Sequence, residues 1–276
     1  MDDVVGVFDA MAATYDELEP WYEHLYARVH AIVRQALPRL APGAAASALD
    51  AGCGTGFQTA LLDALGYRAH GVDLSPGLLA VAHARLPRAT FVRGRLEALP
   101  YGDGSFDAVT CCGSTLSFVA DPATALAELG RVLRPGGRLV LEVEHKWSAE
   151  LAWMAASALT GDALGYGVTA RTLWQALARP LRESCVLAYP GYGRLRLFTA
   201  TELRRLLTAA GLVPTTTWGI HSVTGLMPST VLHRPRLPGA LRPVYAALCA
   251  VDGLMTRVPP ARGVASSLVV LARKTT

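Results

Sequence analysis

No stretch of this 276-residue chain approaches the roughly 20 apolar residues a bilayer span requires, although 51% of its residues are hydrophobic. The apolar stretch near the C-terminus, Val244 to Leu254, is too short and is interrupted by Asp252. The start, Met1-Asp2-Asp3, is acidic and lacks the basic residues and apolar core of a secretory signal, so a soluble, cytoplasmic protein is expected. The five cysteines are odd in number, with no C-x-x-C and no regular spacing. That excludes a disulfide framework and a zinc site, and no metal is expected. The adjacent pair Cys111-Cys112 reads as the end of a buried strand. A formal charge of +4 comes from scattered arginines, and no basic run is interleaved with aromatics. A nucleic-acid groove is therefore disfavoured, with the local patch His233-Arg234-Pro235-Arg236 left open. Internal repeats and low-complexity linkers are also missing, and the length suits one large domain or a domain with an inserted cap.

What is present is concentrated around Ala48-Leu49-Asp50-Ala51-Gly52-Cys53-Gly54-Thr55-Gly56-Phe57, where an apolar strand meets a helix through glycines at every second position. Asp73 follows 19 residues after Gly54. Glycines let the backbone turn sharply and admit a ligand against main-chain N–H groups, while an acid ending the next strand accepts hydrogen bonds from ribose hydroxyls. The spacing is G-x-G-x-G, not the G-x-G-x-x-G of dinucleotide enzymes, and Asp50 stands two residues before the first glycine.

Strands and helices alternate from about residue 46, which predicts a doubly wound, mainly parallel sheet. The first strand ends at Asp50, and a helix from Phe57 to Leu65 is closed by Gly66. A second strand, Ala69 to Asp73, leads to Ser75-Pro76, a helix N-cap with proline in the first turn. Further strands are expected at Thr90–Arg93, Phe106–Cys111, Arg138–Glu144, Leu212–Trp218 and Ser266–Ala272, making seven. A helix from Pro122 to Leu133 is stopped by Arg134-Pro135-Gly136-Gly137, and Thr199-x-x-Glu202 reads as a capping box opening a helix that ends at Gly211. Three segments stand outside the alternation. Residues 1–44 contain a helix with Trp21, Leu25, Val29, Ile32 and Val33 on one face, a core-packing pattern. Residues 146–197 and 220–264 are insertions into a core of 45–145 and 198–276. Ligand sites of parallel sheets lie beyond the carboxyl ends of the strands, so the first segment and the 146–197 insertion are expected to cap the substrate.

Several of these segments resemble the class I S-adenosylmethionine-dependent methyltransferases, in the small-molecule branch similar to the type 11 methyltransferases. The glycine loop resembles the first motif of that family and Ala69-His70-Gly71-Val72-Asp73-Leu74-Ser75 its second. Leu99-Pro100-Tyr101 with Ser105-Phe106-Asp107-Ala108-Val109 resembles its L-P-[FY]...S-F-D-x-V segment, and Leu129-x-Arg131-Val132-Leu133-Arg134-Pro135-Gly136-Gly137 its L-x-R-V-L-[KR]-P-G-G turn. The resemblance covers residues 10–145 and, more weakly, 198–218 and 266–273. It implies a Rossmann-like fold with S-adenosyl-L-methionine as cofactor. The implied cofactor-binding positions are Tyr15, Asp50, Ala51, Gly52, Cys53, Gly54, Gly56, Asp73, Leu74, Arg95, Leu96 and Cys112. A Tyr15-Asp16 pair would close over the cofactor. One departure follows the third strand, where the family commonly has Gly-Asp to accept from the adenine amino group and this chain has Gly94-Arg95. Arginine accepts no hydrogen bond, so the backbone of Leu96, stacking by Arg95, or Glu97 would have to serve.

The chemistry so implied is in-line methyl transfer to a small, largely hydrophobic or aromatic acceptor, with a base needed only for a hydroxyl or an acidic carbon. His145, closing the fifth strand, is the leading base, with Tyr15 and His221 behind it. Trp147, Trp153, Tyr166, Trp174, Tyr189 and Tyr192 furnish the insertion with aromatic walls, of which Trp147 and Tyr166, with His145 and His221, are the candidate acceptor contacts. Arg171, Arg179 and Arg182 offer a seat for an anionic group. A nicotinamide-dependent oxidoreductase and a non-catalytic S-adenosylmethionine-binding protein are the rival readings. The acceptor, the atom methylated and the oligomeric state stay open.

Overall fold

The computed structural model describes residues 2–16, 20–178, 180–189, 193–232, 237–256 and 263–275. Arg179, Tyr192 and the 233–236 patch lie outside these, as do the side chains of Trp21, Leu25 and Tyr189.

Alternation of buried strands with amphipathic helices builds the expected sheet. Helices α1 (Asp2–Met11) and α2 (Pro20–Ala36) precede β1 (Ser47–Ala51), α3 (Phe57–Ala64), β2 (Arg68–Asp73), α4 (Pro76–Arg85), β3 (Thr90–Arg93) and β4 (Phe106–Cys111). The short α5 (Thr115–Phe118) and α6 (Pro122–Val132) lead to β5 (Leu133–Glu144). Then come α7 (Ala149–Leu159), α8 (Ala170–Leu177), β6 (Cys185–Tyr189), β7 (Gly193–Leu197), α9 (Ala200–Ala209), β8 (Leu212–Ile220), α10 (Ser229–Leu232), α11 (Arg242–Met255) and β9 (Ser267–Lys274).

The seven-stranded sheet has the order β3-β2-β1-β4-β5-β9-β8, with β1 to β5 parallel and β9 antiparallel to both its neighbours. The strand order reverses between β1 and β4, the place where an open α/β sheet leaves a crevice at its carboxyl edge. One face packs against α6 and α9 through Leu126, Leu129, Leu203 and Leu207. The other is covered by α2 and α3, where Val29, Ile32 and Val33 meet Leu61, Leu62 and Trp218. This is the stripe that the spacing on α2 implied.

Local signals acted as their chemistry requires. Ser75 Oγ accepts from Leu78 N at 3.1 Å to cap α4, Asp121 caps α6, and Gly66 adopts a φ of +96° after α3. At α9 only half of the expected box forms. Thr199 Oγ1 accepts from Glu202 N at 3.2 Å, but the Glu202 carboxylate turns to the Ser184 hydroxyl at 3.1 Å and to its backbone N–H. The 146–197 insertion is not purely helical. β6 and β7 pair as an antiparallel hairpin, and with α7 and α8 they enclose a separate small core of Leu151, Met154, Tyr166, Leu173, Leu187 and Leu195.

Candidate functional site

Beyond β1 the chain turns so that Gly52 N and Cys53 N both donate to the Val72 carbonyl, at 2.7 and 3.0 Å. Gly54 N then donates to Asp73 Oδ2 at 2.9 Å, and Ser75 N to Asp73 Oδ1 at 2.9 Å. One carboxylate thus ties the glycine loop to the end of β2. Burial raises its pKa, and these N–H bonds oppose that rise. A carboxylate has about four acceptor sites, so Asp73 retains capacity for a ligand's hydroxyls. The two glycines differ. Gly54, at φ +50°, faces open space, whereas a Cβ on Gly52, at φ +76°, would overlap the Thr115 side chain. The first leaves room for a ligand; the second lets the loop after β4 close in.

These residues wall a cavity of about 970 Å³, its open mouth included. Tyr15, Gly52, Cys53, Gly54, Asp73, Leu74, Leu96 and Cys112 line it, together with Glu97. The structure also brings there residues that no motif marked: Val4, Val5 and Phe8 of α1, Tyr26 of α2, Gln58 of α3, and Thr115, Phe118 and Val119 around α5. Gln58 is 6% exposed, and its Nε2 finds no hydrogen-bond partner among the described residues. Its place in the first turn after the glycine loop was the only sequence signal available. For the α1 residues there was none, because only tertiary packing carries them to the loop.

The N-terminal segment is pinned over the cavity by two acids. Asp9 accepts from the Ser75 hydroxyl and, at 3.0 Å, from Gly77 N at the start of α4. Asp16 accepts from Thr55 Oγ1 at 2.7 Å and pairs with Arg85, which also donates to the Thr55 carbonyl at 2.7 Å and lies 3.9 Å from the Phe57 ring. Phe8 meets Phe118 edge-on, with ring centroids 5.5 Å apart.

Several expected contacts sit elsewhere. Asp50 is 1% exposed and accepts from Thr59 Oγ1 at 2.7 Å and Thr110 Oγ1 at 3.0 Å, beneath the loop. Burial pushes its pKa up to about 6 against those bonds. Ala51 is buried in the sheet, and Gly56 packs on Ala82 of α4. Arg95 stays outside the cavity, with its Nε 3.7 Å from Glu97 Oε2, while Glu97 is on the wall. His145 does not reach the cavity. It is 4% exposed, its Nδ1 pairs with the Ala265 carbonyl at 3.0 Å, and burial lowers its pKa. Trp147 donates to the Leu181 carbonyl at 3.2 Å, and Tyr166 is wholly buried in the insertion's own core. Trp153 reaches the Gly225 carbonyl at 3.1 Å, whereas Trp174, Arg171 and Arg182 are exposed. Among the described residues none of the 146–197 insertion lines the large cavity, and Phe118 of the cavity wall packs against the insertion's core.

His221 belongs to a second, smaller cavity of about 380 Å³ with Glu144, Glu150, Thr224 and Ser229, where the two insertions meet the end of β5. Its Nδ1 is 2.8 Å from Thr224 Oγ1. Ser114 donates from N to Glu142 Oε2 at 2.5 Å and from Oγ to Glu144 Oε1 at 2.8 Å. Burial, followed by the Glu142 charge, pushes the Glu144 pKa up to about 8. In the large cavity burial raises the Tyr26 pKa far above the usual phenol range, so Tyr26 is a protonated donor and no base.

The donor set fits an S-adenosyl group. Asp73 offers acceptor sites for a ribose, Gln58 an unspent amide donor, Gly54 an open backbone approach, and Leu74, Leu78, Leu96 and Phe57 apolar walls. Among the described residues no helix is long and apolar enough to cross a membrane.

Comparison with known proteins concerns the domain that carries this site. Residues 49–141 match the model of a methyltransferase domain. An uncharacterised methyltransferase of Mycobacterium tuberculosis is 40% identical over 120 residues, covering 44% of this chain and 48% of that protein. The demethylmenaquinone methyltransferase of Beutenbergia cavernae is 38% identical over 143 residues, covering 50% and 57%. The chain thus spans about half the length of the curated relatives it matches. Among solved structures, the 1,6-didemethyltoxoflavin-N1-methyltransferase of Burkholderia thailandensis, with bound S-adenosylhomocysteine, superposes with a TM-score of 0.56 at 22% identity, covering 99% of this chain and 88% of that one. A possible histamine N-methyltransferase of Thermotoga maritima gives 0.58 at 19% identity, covering 98% and 99%. The glycine loop, the Asp73 tie and the seven-stranded sheet thus stand with a methyltransferase-domain match over residues 49–141, and the fold is similar to that of the class I S-adenosylmethionine-dependent methyltransferases.

Proposed function

We propose that the protein methylates a small, largely hydrophobic or aromatic metabolite. The observation that carries this reading is the two-part wall of the large cavity, polar at Asp73, Gln58 and Glu97 and apolar at Val4, Val5, Phe8, Phe118 and Val119. S-adenosylmethionine, when bound, supplies an activated methyl group on a sulfonium. The chain's own residues bind, orient and exclude water. Asp73 accepts from the ribose hydroxyls, Gln58 donates to an anionic part of the cofactor, and Glu97 accepts from the adenine amino group in place of the acid absent at Arg95. The α1 side chains on the cavity wall would hold an apolar acceptor in place and keep competing water out. With His145 bonded away from the cavity and Tyr26 protonated, positioning supplies the rate, which suits an acceptor that needs no strong base. Named relatives such as the demethylmenaquinone methyltransferases, and the malonyl-[acyl-carrier protein] O-methyltransferase of Serratia marcescens, 42% identical over 91 residues, support a non-nucleic-acid acceptor.

Calorimetric titration with S-adenosylhomocysteine and with NADH, followed by incubation with methyl-labelled S-adenosylmethionine and a metabolite extract, tests the proposal. Binding of the first ligand alone and a labelled product one methyl heavier are expected. Binding of NADH instead would make it an oxidoreductase, and S-adenosylhomocysteine binding with no product from any extract would make it a binding protein.

A further inference from the structure

The smaller cavity, about 380 Å³ with its open mouth included, has a wall whose polar atoms are nearly all of one kind. Its hydroxyls have already given their hydrogens away. Ser229 Oγ donates to Glu150 Oε1, Thr224 Oγ1 donates to Asp252 Oδ2 at 2.5 Å, and Ser266 Oγ donates to the His221 carbonyl at 3.2 Å. What each still offers a ligand is an oxygen lone pair. His221 Nδ1 is spent in the same way: with the Thr224 hydrogen on Asp252, Thr224 Oγ1 accepts from that ring nitrogen at 2.8 Å. Two carboxyl groups complete the polar wall, Glu144 from the end of β5 and Glu150 from the first turn of α7.

Among the described residues of this wall there is no lysine or arginine. Burial raises the pKa of both acids, and the Glu142 and Glu150 charges add to the rise at Glu144. Carboxyl groups brought together out of water hold protons in place of the cation that would balance them. Met227 and Leu232, 9% and 7% exposed, supply the apolar part of the wall. The complement to such a surface carries hydrogen-bond donors, positive charge and a short hydrocarbon stem. An anion would meet carboxylates, and an alcohol brings one donor where several acceptors wait. A metal ion matches less well, because among the described residues no three His, Cys, Asp or Glu side chains are grouped to hold one. An alkylammonium ion brings three N–H donors and a charge that releases the stored proton to water.

We propose that the smaller cavity is a binding site for a small primary ammonium compound, its charged head on Glu144 and Glu150 and its alkyl stem against Met227 and Leu232. Glu144 belongs to the sheet, Glu150 to the 146–197 insertion, and Met227 and Leu232 to the 220–264 insertion, so an occupant joins all three. The inference is independent of the molecule methylated in the large cavity.

Calorimetric titration of the full chain with butylammonium chloride near neutral pH tests it, run with and without excess S-adenosylhomocysteine to fill the large cavity. Binding with a Kd of about 1 mM or tighter is expected in both cases, with butan-1-ol and butyrate about tenfold or more weaker. Glu144→Gln and Glu150→Gln, each neutral and close in shape to the acid it replaces, should each weaken butylammonium binding about tenfold or more while the chain still unfolds cooperatively on heating. Absence of butylammonium binding, or equal binding of butan-1-ol or butyrate, overturns the proposal without recourse to any variant. So does an unchanged butylammonium affinity in either variant. Binding that vanishes once S-adenosylhomocysteine is added would place the amine in the large cavity and overturn it as well.

Discussion

Two acids at the carboxyl edge of the sheet, Asp73 ending β2 and Glu144 ending β5, stand in contrasting surroundings. Asp73 receives two backbone N–H bonds and opens onto the large cavity. Glu144 receives a hydroxyl, faces the buried Glu142, and opens onto the smaller cavity between the insertions. Burial raises both pKa values, but at Asp73 main-chain donors oppose the rise, whereas at Glu144 the like charge of Glu142 adds to it and outweighs the Ser114 hydroxyl. The difference separates an end of the edge whose acid is held by the glycine loop from an end whose acid faces a like charge.

The strongest way to break this contrast is through the loop that serves the first end. Gly52→Ala should destabilise the fold by about 2 to 5 kcal/mol, adding a left-handed backbone penalty to overpacking against Thr115. Gly54→Ala carries the backbone penalty alone, about 1 to 2 kcal/mol. Urea denaturation of the two variants checks the ranking, and equal losses would remove the distinction between a packing glycine and a ligand-facing one.

Asp73→Ala should weaken S-adenosylhomocysteine binding by about 1.5 to 3 kcal/mol, the range for a hydrogen bond to a charged group, while Glu144→Gln leaves it unchanged. Calorimetry that finds equal losses for both would erase the contrast.

Glu144 sharpens it through pH. Folded, it holds its proton to about pH 8, against an ordinary value of 4.5. The folded state therefore carries the extra proton between those values, and stability present below about pH 4.5 is lost as the pH rises through 8, by up to about 1.4 kcal/mol per unit. Glu144→Gln should flatten the curve of denaturation midpoint against pH in that window; an unaltered curve would assign the slope to other groups.

The smallest effect belongs to the N-terminal closure. Asp9→Ala removes the acceptor at the start of α4 and should cost about 1 kcal/mol, seen as severalfold faster S-adenosylhomocysteine release and earlier proteolytic cleavage before α2. Unchanged release would show that α1 closes the mouth without this tie.

The elements of the fold, its caps and the glycine loop were legible because each is written within a few consecutive residues. Gly66, Ser75-Pro76 and the 52–56 turn need only their own neighbours. Asp73 was legible too, since strand length alone brings it beside Gly54. His145 was misjudged for a long-range reason: β9 enters antiparallel beside β5 and delivers the Ala265 carbonyl to the ring, a partner 120 residues away. Asp50 lies off the cavity because its side chain is spent beneath the loop, on Thr59 of α3 and Thr110 of the adjacent β4. Val4, Phe8 and Tyr26 were invisible because they come to the cavity on helices whose apolar faces read equally well as core.

The placement of β9 bears on the order in which the chain folds. Within the sheet β8 is bonded only to β9, and β5 has β9 as its outer neighbour, so strands made earlier wait for one made after both. Lys274 then reaches the Leu133 carbonyl at 2.7 Å, clipping the arriving strand to the α6–β5 turn. Until that strand docks, a nascent chain exposes the apolar edge of β5 and an unpartnered β8, a long-range closure that is slow and open to association with other chains. The β1 to β5 half can form during synthesis. Sheet completion therefore depends on the strand that comes last of the seven in the sequence.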